Sequence, residues 1–235
     1  MWGVHSVEAA LENPHRPPPR KLLATPDRAR RLAERFPQAR ILSTLETVEA
    51  AEIARRLPQG ASHQGLALKI DPPEPLNLSD LAEPARGIVV LLDQISDPQN
   101  IGAIFRSAAA FGARGVVLQD RHAPALSGSL AKAAVGAIDR VPHARAVNLS
   151  RALETFADAG WRIVGLAGES TIDLPDALDG SPTVLVMGSE GEGIRRLVAE
   201  HCDVLARIPL AGGMESLNVS AAAAVALYEA ARIRK

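Results

Sequence analysis

Three short runs at the ends of apolar segments place polar side chains where they could act on a ligand. The run nearest the C-terminus reads Ile208-Pro209-Leu210-Ala211-Gly212-Gly213-Met214-Glu215-Ser216-Leu217-Asn218-Val219-Ser220 and continues into Ala221 to Ala224. A short apolar strand ends at a proline, and a glycine pair loosens the chain. Ser216 or Asn218 can cap the helix that follows, and four consecutive alanines let another backbone approach closely. Polar groups beside close-packed backbone are what a pocket for a small heterocyclic ligand needs. The same residues also read as an ordinary capped C-terminal helix.

The first run, Asp93 to Ser107, begins a turn at Asp97-Pro98 and places Asn100 where a helix starts. Arg106 follows six residues later, among Ile, Ala, Phe and Gly. A long cation there must reach solvent, a carboxylate or a phosphate, so a site role and a surface role are both open. The second run is Met187-Gly188-Ser189-Glu190-Gly191-Glu192-Gly193-Ile194. Its glycines are ordered G-x-x-G-x-G, the reverse of the dinucleotide pattern. Glu190 and Glu192 occupy positions where a pyrophosphate needs bare amides. A carboxylate in a glycine turn suits a hydroxyl, an amino group or a cationic ligand, or simply caps a helix.

These runs need a frame, and the apolar pattern supplies one. Strands are expected at Gly87 to Leu92, Gly115 to Leu118, Arg162 to Leu166, Thr183 to Met187 and Val204 to Leu210. Helices are expected at Ile101 to Phe111, Ser129 to Ala137, Leu149 to Ala159, Ile194 to Glu200 and Leu217 to Arg234. Near-continuous Val/Ile/Leu strands alternating with helices predict an α/β fold with a parallel sheet covered on both faces. Ligands of such sheets bind outside the carboxyl ends of the strands, where all three runs fall. A proline-rich stretch from Asp71 separates this domain, 87–235, from a small α/β module, 1–70, leaving 71–86 as a linker. Within the module, Val7 to Glu12, Asp27 to Phe36 and Val48 to Leu57 read as helices. Lys21 to Ala24, Arg40 to Ser43 and Gly65 to Ile70 read as strands.

Composition narrows the function. Aromatics make up 3% of the 235 residues, too few for base-stacking platforms. The single cysteine, Cys202, allows no internal disulfide, and no Cys/His cluster has zinc spacing, so no metal is expected. No apolar run reaches membrane-spanning length, and the N-terminus lacks a signal-peptide pattern. A cytoplasmic protein without a membrane partner is expected. Residues 1–70 hold 11 Lys/Arg against 7 Asp/Glu, whereas the remainder holds 15 against 20. Many of these cations lie between Arg16 and Arg40. A basic module on an acidic one fits a polyanion partner, and also fits a solvated helix face.

Asn100 with Arg106, Gly188-Ser189-Glu190-Gly191, and Ser216-Leu217-Asn218-Val219-Ser220 together resemble, in order and spacing, the three motifs of the SpoU (TrmH) RNA 2′-O-ribose methyltransferases. The resemblance runs from about Ile88 to the C-terminus. Gly3-Val4-His5-Ser6-Val7-Glu8-Ala9-Ala10-Leu11 and His63-Gln64-Gly65 further resemble members that methylate a guanosine of 23S ribosomal RNA. Two stretches depart from the pattern: Lys132 to Ala137 is usually Ser-rich, and Pro17-Pro18-Pro19 is unusual.

The resemblance implies a deep C-terminal trefoil knot of the SPOUT type, an N-terminal domain like ribosomal protein L30e, and a homodimer. It implies S-adenosylmethionine held by Gly188, Ile208 and Leu217, with Asn218 and Ser220 adjacent. It implies that Arg106 acts on the 2′-hydroxyl while Asn100, Glu190, Ser216 and Asn218 position it and the ribose. The basic module then reads as an RNA-docking domain, with His5, Arg16, Arg20, Lys21, Arg28 and Arg31 as candidate contacts. DNA lacks the reacting hydroxyl and is not expected as a partner. The alternatives are a transfer-RNA enzyme of the same group and a catalytically silent RNA-binding relative. A nucleotide-dependent oxidoreductase is disfavoured by the glycine order.

Overall fold

Strands form at the aliphatic runs, and they assemble into two separate sheets. The computed structural model describes residues 1–121, 123–212 and 216–234, so Gly213, Met214 and Glu215 of the third run lie outside the described residues. The chain divides into two units: Met1–Glu74 with Ala125–Arg140, and Pro75–Pro124 with Val141 onward.

The first unit contains β1 (Lys21–Ala24), β2 (Leu45–Thr47) and β3 (Leu66–Lys69) in the order β2-β1-β3, with β2 parallel and β3 antiparallel to β1. Helices Val4–Glu12 and Pro26–Arg35 flank the sheet. Pro26 opens the second of these, at a position where its missing N–H costs nothing. Val7, Leu22, Leu32, Phe36, Leu66 and Leu68 form one buried cluster. Arg40 to Ser43 is not a strand. Ala39–Leu42 makes a helical turn with Ile41 buried, and Thr44 Oγ1 closes it by donating to Ile41 O at 2.9 Å. The strand begins only at Leu45.

The segment Ala125–Arg140 packs with this first unit, whereas the sequence reading places it in 87–235. Its helix, Gly128–Ala134, accepts a hydrogen bond from Ser6 Oγ at Ala131 O (3.1 Å). Asp139 accepts from Arg16 Nε at 2.6 Å, Arg16 Nη2 at 3.1 Å and Asn13 Nδ2 at 3.2 Å.

The second unit carries six parallel strands: β4 (Ile88–Leu92), β5 (Gly115–Gln119), β6 (His143–Ala146), β7 (Arg162–Leu166), β8 (Thr183–Met187) and β9 (Val204–Ala206). Their order is β6-β5-β4-β8-β7-β9. The edge strand β6 was not expected, because His143-Ala144-Arg145-Ala146 lacks an aliphatic run. Part of the stretch read as linker belongs to this unit. Leu76 N donates to His143 O at 2.8 Å, and the short helix Leu78–Ala82 buries Leu81 and Ala82. Trp161 ties that helix down, with Nε1 donating to Ala82 O at 2.7 Å and its ring edge-on to Phe156. Among the described residues, no helix is long and apolar enough to cross a membrane.

Candidate active site

β4 and β8 are paired in register through Leu92 and Met187, so the first two runs leave the sheet side by side. In the first run, Asp97 caps helix Pro98–Ala110, accepting from Gln99 N at 3.1 Å and Asn100 N at 3.2 Å. This fixes Asn100 at the helix entrance. In the second, Ser189 and Gly193 pair back to back through bonds of 3.1 and 3.0 Å. Gly191 and Gly193 take positive φ, which glycine adopts without strain. The loop closes so tightly that a side chain on Gly188 would overlap the backbone of Gly193 and Ile194. Glu190 is thereby held out at its tip.

The third run caps helix Val219–Ile233, which packs on helix Pro98–Ala110 and against β8. Asn218 Oδ1 accepts from Ser220 N at 2.9 Å and from Ser220 Oγ at 2.6 Å. Its Nδ2 donates to Glu190 Oε1 at 2.6 Å and to Asn100 Oδ1 at 3.1 Å. Glu190 Oε1 also accepts from Val219 N at 3.3 Å. One residue from each run therefore meets in a single hydrogen-bonded node.

Beside the node lies a cavity of about 1020 Å³, large for a small-molecule site. Its wall is built from residues 166–169, residues 187–191 with Gly193, residues 206–210, and residues 216–219 with Ala222. Leu210 and Leu217 present apolar surface to it, each 37% exposed. Glu169 and Glu190 supply carboxylates. Arg207 also lines it but is held by Asp173, with Nε at 2.8 Å from Oδ1.

A model of the SpoU rRNA methylase family matches residues 87–228. The chain belongs to that family. A second family model, for the substrate-binding domain of RNA 2′-O-ribose methyltransferases, matches residues 1–76. An uncharacterised tRNA/rRNA methyltransferase of Mycolicibacterium smegmatis is 48% identical over 77% of this chain, and the match spans only 59% of that relative. Another, from Mycolicibacterium gilvum, is 45% identical over 89% of this chain and 68% of its own length. The solved structure of an AdoMet-bound rRNA methyltransferase from Sinorhizobium meliloti covers 99% of this chain and 86% of its own, with TM-score 0.84 and 26% identity. The SpoU methyltransferase AviRb from Streptomyces viridochromogenes, solved with AdoMet, covers 100% and 89% with TM-score 0.80 and 27% identity.

Within this SpoU chain, the structure joins Asn100, Glu190 and Asn218 directly. Gly188, Ile208, Ser216, Leu217 and Asn218 line the cavity. Ser220 does not line it, because its hydroxyl is turned onto Asn218. Arg106 is exposed, absent from the cavity wall, and without a hydrogen bond or ion pair among the described residues. It follows Asn100 on the same helix by six residues, about 9 Å of rise and most of two turns. Cys202 is half-buried, and burial pushes its thiol up to about 12, so it supplies no thiolate near neutral pH.

Sequence reasoning missed two elements. The loop Leu166–Glu169 forms one wall of the cavity, and its position at a strand's carboxyl end was the available signal. Asp93, fully buried at the end of β4, accepts from Arg195 N at 2.9 Å, Nε at 2.8 Å and Nη2 at 2.7 Å. It pins the exit of the second run beside the entry of the first. The acid directly after five apolar residues was the clue.

Among the RNA candidates, Arg16 is corrected. Its side chain is 2% exposed and locked on Asp139, so it faces the interior rather than a phosphate. Arg20 pairs with Asp71, Lys21 with Glu46, and Arg31 with Asp27, all at the surface. His5 is exposed, and Arg28 is half-buried with Nε donating to Gln64 O at 3.2 Å.

Proposed function

We propose that the chain transfers a methyl group from S-adenosylmethionine to a ribose 2′-hydroxyl of RNA, and that the nucleotide is a guanosine of 23S ribosomal RNA. The observation carrying this reading is the three-run node of Asn100, Glu190 and Asn218 at the rim of a cavity walled by Gly188, Ile208 and Leu217. The residues suit the methyl donor. Gly188 leaves backbone where a side chain could not fit, Leu210 and Leu217 offer an apolar bed, and two carboxylates complement a cationic sulfonium. When bound, S-adenosylmethionine supplies a methyl group activated by the neighbouring positive sulfur.

The protein's part is placement and charge. Asn100, Glu190, Ser216 and Asn218 orient the ribose against the donor, converting an encounter into a held geometry. A guanidinium keeps its protons near neutral pH, so Arg106 serves by attracting the substrate phosphate and stabilising charge that develops on the 2′-oxygen. The first unit docks the RNA, and the activity lies in the cytoplasm with that RNA. In this reading the C-terminal segment is threaded as a trefoil knot, its last helix packed on the helix of the first run. Val225 and Tyr228, 41% and 54% exposed on that helix, are surface that a homodimer would cover.

Ribosomal rather than transfer RNA is favoured by the separate substrate-binding domain and by the rRNA methyltransferase among the structural neighbours. The test is transfer of a labelled methyl group to 23S ribosomal RNA lacking the modification, followed by mapping of the labelled nucleotide. Label on a guanosine 2′-oxygen is the expected result. Label found only on transfer RNA overturns the substrate, and label on a base overturns the reaction.

A further inference from the structure

Cations of the first unit are satisfied selectively. Arg16, Arg20, Lys21, Arg30, Arg31, Arg35 and Arg56 each pair with a carboxylate. Arg40, Arg55, Lys69 and Arg140 have no such partner among the described residues, but all four are exposed and water solvates them. Lys132 and Arg28 differ from both groups. They are the Lys/Arg side chains of this unit that are half-buried and yet lack a carboxylate among the described residues.

Both border Gln64. A methyl group at Gly3 would lie 2.5 Å from Lys132 Nζ and 3.1 Å from Gln64 Oε1, so the ammonium rests across Gly3 beside that amide. On the other side, Arg28 Nε donates to Gln64 O, and its Cγ lies against Gly65. Gln64 itself is held, with Oε1 accepting from Val4 N at 3.1 Å. Withdrawing an ammonium from water is unfavourable unless an anion answers it. Two half-shielded cations flanking one held side chain, neither paired with a carboxylate among the described residues, offer the charge that backbone phosphates of a nucleic acid answer.

We propose that Lys132, carried by the segment that leaves the second unit's sequence to pack with the first, forms with Arg28 a phosphate-binding subsite for the substrate RNA around Gln64. This inference rests on the reading of the first unit as the RNA-docking unit. The departure of Lys132 to Ala137 from the Ser-rich family pattern then falls on the subsite itself.

The experiment measures binding of the full chain to a 23S ribosomal RNA transcript by fluorescence anisotropy across a salt series. Lys132→Gln is expected to weaken binding five- to tenfold and to lower the slope of log affinity against log salt by about 1. Methyl-donor affinity and melting temperature should not change. Arg28→Gln behaves likewise, and Lys132→Arg keeps wild-type affinity. Arg140→Gln removes the same charge from the same segment and should have a smaller effect. Unchanged affinity in Lys132→Gln, or a loss equal to that of Arg140→Gln, overturns the subsite. Failure of the wild-type chain to bind the transcript instead overturns the docking reading on which it rests.

Discussion

Asn218 Nδ2 lies 2.6 Å from Glu190 Oε1 while the same side chain's Oδ1 receives Ser220 N and Oγ. One amide therefore does two jobs: it caps the last helix and fixes the carboxylate at the tip of the glycine loop. The jobs can be separated. Asn218→Asp keeps the cap oxygen but sets a second carboxylate against Glu190. Methyl transfer should fall by about 100-fold, the scale expected when reacting groups are misplaced by about 1 Å, with little change in melting temperature. Asn218→Ala should also lose about 1 kcal/mol of stability with the cap. Single-turnover transfer and thermal unfolding together check both.

Gly188 is the least replaceable residue of the cavity wall. In Gly188→Ala the new methyl group collides with the backbone of Gly193 and Ile194, so the loop must reopen. Methyl-donor binding measured by calorimetry should weaken by at least about tenfold, a change of some 1.4 kcal/mol. The sheet, which ends at Met187, should keep its far-ultraviolet dichroism.

Arg106 stands apart from the wall and holds nothing else in place. Arg106→Ala should abolish transfer while shifting stability by no more than about 0.5 kcal/mol, as for other exposed substitutions. Methyl-donor affinity should stay near wild type. Full transfer in this variant would remove Arg106 from the mechanism.

Arg16 and Asp139 form a buried pair, with side chains 2% and 0% exposed. Removing one partner strands the other, so Arg16→Ala should destabilise the first unit by about 3–5 kcal/mol in chemical denaturation. The double variant Arg16→Met/Asp139→Leu should recover most of that loss. A residue that acted only through RNA would show neither effect.

His201 gives a pH signature. Its ring meets Leu197 O at 2.8 Å and Glu154 Oε1 at 3.1 Å, which raises its pKa, the backbone contact contributing most. A raised folded value means the stabilisation is complete below the free imidazole value of about 6.5 and disappears as pH climbs through the folded value. His201→Ala should therefore cost stability at pH 5.5 and almost none at pH 8.5. The pair is near the surface, so the difference is a fraction of about 1 kcal/mol and shrinks with salt.

Legibility followed burial. β4, β5, β7 and β8 were readable because strands covered on both faces must be continuously apolar. β6 was not, since an edge strand tolerates Arg145, whose Nη2 reaches Pro124 O at 2.9 Å. The short segment Arg40 to Ser43 misled for a related reason. Its single buried residue, Ile41, serves a helical turn as well as a strand.

By itself the sequence determined the alternating α/β pattern, the three polar runs at strand ends, and the residue types of the node. Those are local properties, set by periodicity and by turn and cap chemistry over a few residues. Only the tertiary structure decided which residues share a site. Asn100, Glu190 and Asn218 meet across separations of 90 and 28 residues, Asp93 grips Arg195 across 102, and Arg16 is withdrawn onto Asp139 across 123. A buried charge selects its partner by what the fold brings within about 3 Å, and no local pattern records that distance.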